Sequence, residues 1–275
     1  MFRKALVAVI VALVAVSSID AHDMFLRFST YFLPANRKVS VELINGTFDK
    51  SENAIARSRM LDVSVVGPGR KAVKPDTTQW QDVDSTSVLS FETGGPGTYV
   101  AGVSTAPRMI ELSAEDFNEY LSHDGVLDIL KQRTDAGDLD KPATERYSKH
   151  VKAVFQVGNR RTRGFSAKLR YPIEIVPQRN PYKLEVGDEL GVRVFLRGKA
   201  LRNQLVYASH EGYHGHDDQG RHIEAVQTRT NWRGKATIPL SEPGRWYVRL
   251  IHMAPVDEPG VDYESNWATL TFEVQ

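Results

Sequence analysis

The sequence predicts a mainly β protein built as two β-sandwich domains, immunoglobulin-like or transthyretin-like in pattern, the first carrying a helical insertion. Three observations lead there. Short runs alternate apolar and polar residues with period two, Gly and Pro punctuate the runs, and helical spacing is confined to about residues 113–155.

Taken in order, the chain opens on Met1-Phe2-Arg3-Lys4, a basic start, followed by the unbroken apolar run Ala5 to Val16. A positive start and an apolar run well short of the ~20 residues of a membrane span read as a secretory signal. Ala21 suits the last position before a cut, which sets residues 1–21 as signal peptide and His22 as the new amino terminus. Cutting after Ser18 is the rival that would leave His22 internal, and cutting after Ile19 would place His22 third.

Residues 22–176 form the expected first domain. Lys38–Ile44 and Leu61–Val66 alternate as strands, and Thr98–Val103 follows the turn signal Gly94-Gly95-Pro96-Gly97. Ser113-Ala114-Glu115-Asp116 resembles a helix N-cap with an acidic first turn, and Phe117, Tyr120 and Leu121 recur at helical spacing. Val126, Leu127 and Leu130 continue a second helical face. A third helix is expected over Ala143–Val154, opened by Pro142, with Tyr147, Val151 and Val154 on one side. His123 and His150 then become surface residues of the insertion. Phe165 to Val176 returns to alternation. Pro177-Gln178-Arg179-Asn180-Pro181 is the expected boundary, and 182–275 the second sandwich, with strands over Glu189–Leu196, Gln204–Ser209, Lys235–Leu240, Arg245–Met253 and Trp267–Val274.

The whole chain carries a formal charge of +1. Loss of residues 1–21 removes Arg3, Lys4 and Asp20 and leaves it neutral, which argues against nucleic acid or an anionic membrane as a bulk partner. No later stretch is long and apolar enough to insert in a membrane, so the mature chain is expected to be periplasmic or secreted. There are no cysteines. Any transition-metal site must therefore use imidazole, carboxylate, amine or thioether donors. Gly-x-Ser-x-Gly, His-Glu-x-x-His and a glycine-rich phosphate loop are all missing, so the chain is not expected to be an enzyme.

What remains is histidine chemistry. If His22 leads the mature chain, its amine and imidazole close on one ion as a six-membered chelate, and a metal ion displaces protons from groups of these two types at modest cost around neutral pH. Met24-Phe25-Leu26 and Phe28 follow at once and would tie that terminus into a sheet. Four more histidines, His210, His214, His216 and His222, crowd one segment beside Glu211, Asp217 and Asp218. Its glycines disfavour a helix and leave a loop or hairpin, which is either a metal-binding cluster or a solvated polar loop. His252 shares a face with Trp246, Val248 and Leu250 at the end of a buried row, where a hydrogen-bonded structural role is the plainer reading. Trp246 and Trp267 read as core. Trp232 is the aromatic left to line a groove.

Several motifs, in order, resemble the DUF4198 family, exported bacterial proteins related to the periplasmic part of NikM-type nickel and cobalt uptake components. They are Ala21-His22-Asp23-Met24-Phe25-Leu26, Glu145 to Lys152, Pro172 to Pro177 with Asn180-Pro181-Tyr182, Trp246 to Met253, and Glu264 to Phe272. The resemblance implies a periplasmic protein handling nickel or cobalt with the exposed histidine as a ligand. His252 and Glu264 fall in the motifs nearest the chain end and join His22, His210, His214, His216 and His222 as candidate ligands. The expected function is capture of a divalent ion, nickel or cobalt first and copper or zinc as alternatives, and its delivery to a membrane metal-uptake component. Alternatives are a periplasmic copper-binding protein, a copper-dependent oxidative enzyme, and a metal-free module that binds peptide or sugar.

Overall fold

The computed structural model describes residues 22–69, 71–216 and 223–275; the expected signal peptide and His222 lie outside the described residues. The first half contains β1 (Met24–Arg27), β2 (Phe32–Leu33), β3 (Lys38–Asn45), β4 (Met60–Val66), β5 (Ala72–Val73), β6 (Trp80–Val83), β7 (Thr86–Glu92), β8 (Gly97–Thr105) and β9 (Arg108–Leu112). Two helices follow, α1 (Ala114–His123) and α2 (Leu127–Ala136). The second half contains β10 (Ala143–Val157), β11 (Ile173–Pro177), β12 (Glu189–Leu196), β13 (Lys199–Ala200), β14 (Leu205–His210), β15 (Val226–Arg229), β16 (Lys235–Pro239), β17 (Gly244–Glu258) and β18 (Val261–Val274).

The protein is mainly β, as its alternation predicts, with the helical spacing realised in α1 and α2. Ser113 caps α1, its hydroxyl accepting the Asp116 backbone N–H at 3.1 Å. No helix among the described residues is long and apolar enough to cross a membrane.

The third expected helix is a strand. Ala143–Val157 is the fifteen-residue β10, paired in parallel with β18 from Glu145↔Tyr263 to Ala153↔Thr271, and antiparallel with β8 and β9. Tyr147, Val151 and Val154 fit a helical stripe, but β10 is covered on both faces and is buried at every position from Ser148 to Val157, so it offers no in–out alternation to read. Lys149, His150, Lys152 and Gln156 are all buried. Charged and polar residues held inside by partners also hide this continuous burial from any count of apolar residues. His150 is accordingly not a surface residue: it is 2% exposed.

Around β10 runs one ten-stranded sheet, ordered β15-β14-β17-β18-β10-β8-β4-β5 with β2 and β9 also on β10, so both halves of the chain contribute to it. Two smaller sheets cover its opposite faces. The sheet β1-β3-β7-β6 covers the face that presents Lys149, Val151 and Phe155. Phe155 there meets Phe28, Phe91 and Tyr99 at 4.8, 5.9 and 5.5 Å. The sheet of β11, β12, β13 and β16 covers the face that presents Trp246, Val248 and Leu250. Because β11 already pairs with β12, the chain reaches the second sandwich before residue 173 rather than at 177–181. Residues 165–172 are largely a short 3-10 turn and coil, not the expected alternating run.

Side-chain alternation assigns the faces along the long strands. Lys149, Trp267, Arg249 and Ile251 share the first face with the helices; His150, Asn266, Glu264, Leu250 and His252 share the second.

Candidate functional site

β1 enters across the first face and is stitched to it by hydroxyls. Thr269 Oγ1 donates to the Met24 carbonyl at 2.7 Å and Thr271 Oγ1 to the Leu26 carbonyl at 2.5 Å. This delivers His22 and Asp23 to a gap between two apolar clusters. One is formed by Phe25, Ile44, Phe48 and Tyr247, the other by helix residues packed on Ile251, Met253 and Trp267.

The gap is filled with charge. Arg249 Nε lies 3.3 Å from Asp23 Oδ2 and 2.5 Å from Glu224 Oε1, and its Nη1 donates to the Asp124 carbonyl at 3.0 Å at the C-terminal end of α1. Its guanidinium also covers the Tyr207 ring at 4.9 Å, and the Tyr207 hydroxyl donates to the Gly125 carbonyl at 3.0 Å. Gly125 is needed there, since a Cβ would sit 2.4 Å from the Tyr207 hydroxyl oxygen and φ is +75°. Lys149 Nζ donates to the His22 carbonyl and, at 3.1 Å, to Asn45 Oδ1, and stands 5.2 Å from the Trp267 ring. Deeper in, Glu145 accepts from the hydroxyls of Ser265 and, at 3.2 Å, Tyr120.

Burial governs the protonation states. It pushes the Asp23 carboxyl up against the pull of Arg249, and pushes the Lys149 ammonium down. It raises Glu145 to about 7, with the Ser265 and Tyr120 hydrogen bonds working the other way. Arg249 stays charged although burial opposes it, because Asp23 and Glu224 face it.

His22 sits at the mouth of this cluster, 14% exposed at the side chain, with Nε2 2.5 Å from Glu52 Oε2. The expected company of His210 or His252 is not there. His210 lies opposite Trp246 and its ring packs on that indole at 5.0 Å, on the second face. His252 is also on the second face, Nδ1 3.0 Å from Gln204 Oε1, and burial lowers its pKa. The central sheet separates both from His22. They are also apart from each other, being opposite or at positions six residues distant on β17, roughly 20 Å of extended strand. Glu264 is on the second face, where it accepts from Arg146 Nη2 at 3.0 Å and Arg197 Nη2 at 2.8 Å. His214 and His216 follow β14 in a loop, His216 Nδ1 lying 3.0 Å from the His214 carbonyl. Among the described residues no three His, Asp or Glu side chains gather as a metal-holding group. Trp246 and Trp267 are core at 0% and 3% exposure, while Trp232 is 72% exposed under the Arg233 guanidinium.

Sequence reasoning missed Arg249, Lys149, Glu145 and Glu224. The available signal was a charge at the inward position of a strand: Arg249 lies between Val248 and Leu250, and Lys149 two positions before Val151.

The family described as "Domain of unknown function (DUF4198)" matches residues 19–254. No curated protein matches the chain. Among solved structures, the D0-D1 domain of Intimin is 12% identical over 91% of this chain and 97% of its own, with a TM-score of 0.21. A Salmonella alpha-2-macroglobulin mutant is 11% identical over 90% of this chain but 14% of its own, at 0.25. A chimeric titin Z1Z2-Z1Z2 tandem is 9% identical over 91% and 96%, at 0.18. None of these scores reaches one half, and identities this low say nothing of activity.

Proposed function

The chain belongs to the DUF4198 family, and from that premise we propose that it is an exported binding protein, not an enzyme. On this reading it takes up a divalent transition-metal ion, nickel or cobalt, at an amino terminus led by His22, and hands it to a membrane uptake component. The observation that carries the proposal is the fixing of His22: Glu52 holds Nε2 at 2.5 Å, and buried Lys149 holds the carbonyl.

A proton on Nε2 directed at Glu52 makes Nδ1 the coordinating nitrogen, and a carboxylate behind an imidazole raises its basicity as a ligand. Cleavage after Ala21 adds the amine, which closes the chelate with Nδ1. The described side chains alone do not assemble a cage, so the amine is indispensable. A site with two protein nitrogens and the remainder left to solvent suits an ion that must be released again. The loop histidines His214 and His216 and the second-face residues His210, His252 and Glu264 have no part in it.

The same nitrogen pair favours copper over nickel in the usual affinity order, so copper is the competing ion. The test is isothermal titration of protein shown by mass to begin at His22, against nickel, cobalt, copper and zinc. His22→Ala, and a form with one residue ahead of His22, are expected to weaken binding by at least about tenfold, and Glu52→Gln by several-fold. Equal affinity in His22→Ala overturns the proposal.

A further inference from the structure

The second face carries an open groove of about 600 Å³ lined by β10, β18, the segment leading into β11 and the turn after β12, a volume suited to a small molecule. Four cationic side chains line it, Arg146, Lys168, Arg170 and Arg197, against two carboxylates, Glu174 and Glu264. Glu174 is already matched from beneath by Lys152 at 3.4 Å, both buried, and its Oε1 accepts the Leu169 backbone N–H at 2.6 Å. Glu264 is shared by Arg146 and Arg197. Among the described residues no ion pair joins Lys168 or Arg170 to a carboxylate; Lys168 Nζ rests 3.5 Å from the Phe195 ring centroid. The groove therefore keeps a surplus of positive charge.

Backbone geometry singles out the same residues. Five described non-glycine residues have positive φ, and three are Asn or Asp, the types that tolerate it. The other two are Arg170 at +64° and Arg197 at +48°, and both line this groove. Arg197-Gly198 is the two-residue turn joining β12 to β13, where Leu196 pairs with Lys199. With φ of +48° and +78° it has the conformation in which Asn-Gly is favoured. Arginine at such a position is a poor choice for the turn, and strain of this kind gathers at functional sites.

The floor is polar but uncharged. Ser148 Oγ and Asn266 Oδ1 lie 3.1 and 3.2 Å from Nε2 of buried His150, whose Nδ1 meets Ser104 Oγ at 2.9 Å. These contacts orient the Ser148 hydroxyl and the Asn266 amide, both part of the lining.

We propose that the groove binds a small hydroxylated carboxylic acid, its carboxylate held by Arg170 and Arg197 with Lys168 and its hydroxyls by Ser148 and Asn266. Arginine forks match a planar carboxylate. The two lining carboxylates act against doubly charged phosphate or sulfate.

Titration calorimetry of the metal-free mature chain with citrate, malate and gluconate, and with phosphate and sulfate at matched ionic strength, tests this. At least one of the three acids is expected to bind at or below about 1 mM and more tightly than either inorganic anion. Arg170→Asn and Arg197→Asn are each expected to weaken that binding by at least about tenfold without lowering the melting temperature, since Asn suits both backbones. His22→Ala is expected to leave it unchanged, which separates the groove from the terminal metal site. Failure of all three acids to bind, equal binding of phosphate or sulfate, or unaltered affinity in both Asn variants overturns the proposal.

Discussion

Apart from the buried Lys152–Glu174 pair beneath the groove, the two faces of the central sheet treat charge in opposite ways. On the first, Arg249 meets Asp23, Glu224 and the end of α1, and Lys149 meets the His22 carbonyl and Asn45, all beneath β1 and the helices. On the second, Arg146 and Arg197 divide Glu264 while Lys168 and Arg170 line an open groove. A buried cation must be matched inside the fold, because removing it from water costs several kcal/mol. Cations at a groove carry no such requirement, and surplus there is available to a ligand. The first face thus reads as a device that fixes the amino terminus, the second as a receiving surface.

The largest break in this comparison should come from Arg249→Met. It strands Asp23 and Glu224 in a buried place, and an expected loss of about 3–5 kcal/mol would be measured by urea unfolding. Arg197→Gln on the open face should cost far less; equal losses would erase the distinction.

pH sharpens it next, because one buried group on each face, Glu145 on the first and His150 on the second, titrates with opposite sign. Glu145 has its pKa raised from 4.5 to about 7 in the folded chain. The folded state then binds the proton more tightly, so this contribution is full below pH 4.5 and is lost as pH rises to about 7. Glu145→Gln should recover on the order of 2–3 kcal/mol relative to the parent at pH 8. His150, on the second face, has its pKa lowered by burial from 6.5 to about 4. Its contribution is full above pH 6.5 and is lost as pH falls through about 4. The parent should lose on the order of 2 kcal/mol over that interval through this group, and His150→Asn should flatten the loss. Denaturation curves from pH 4 to 8 check both; slopes of the same sign would contradict the assignment.

The smallest effect is expected at the turn. Arg197→Asn should change stability by no more than about 0.5 kcal/mol, in the stabilising direction, as read from thermal melts. A large loss would mean that the Arg197–Glu264 contact holds the fold together rather than serving the groove.

Strand and helix positions were legible wherever apolar spacing was clean. Glu189–Leu196 is β12 as the alternation predicts, and the Ser113 cap opens α1. Ala143–Val157 was misread because its inward positions hold Glu145, Lys149 and Lys152, which no hydrophobic pattern marks as interior. The candidate site was half legible. His22 stood out because the expected cut after Ala21 makes it the leading residue, with apolar residues directly after it to tie it down, whereas Glu52, Lys149 and Arg249 come from distant strands and no spacing links them to it.

Sequence alone determined that the chain is mainly β, that α1 and α2 interrupt it, and that histidine and carboxylate are its available ligand chemistry, since periodicity and composition are local properties. The tertiary structure decided that His22 belongs with Glu52 and Lys149 while His210, His252 and Glu264 belong to the other face. That choice depends on the parallel register of β10 with β18 and on the side from which β1 arrives. Both are set by packing between segments more than a hundred residues apart, and alternation within one strand says which residues share a face but not what is laid against it.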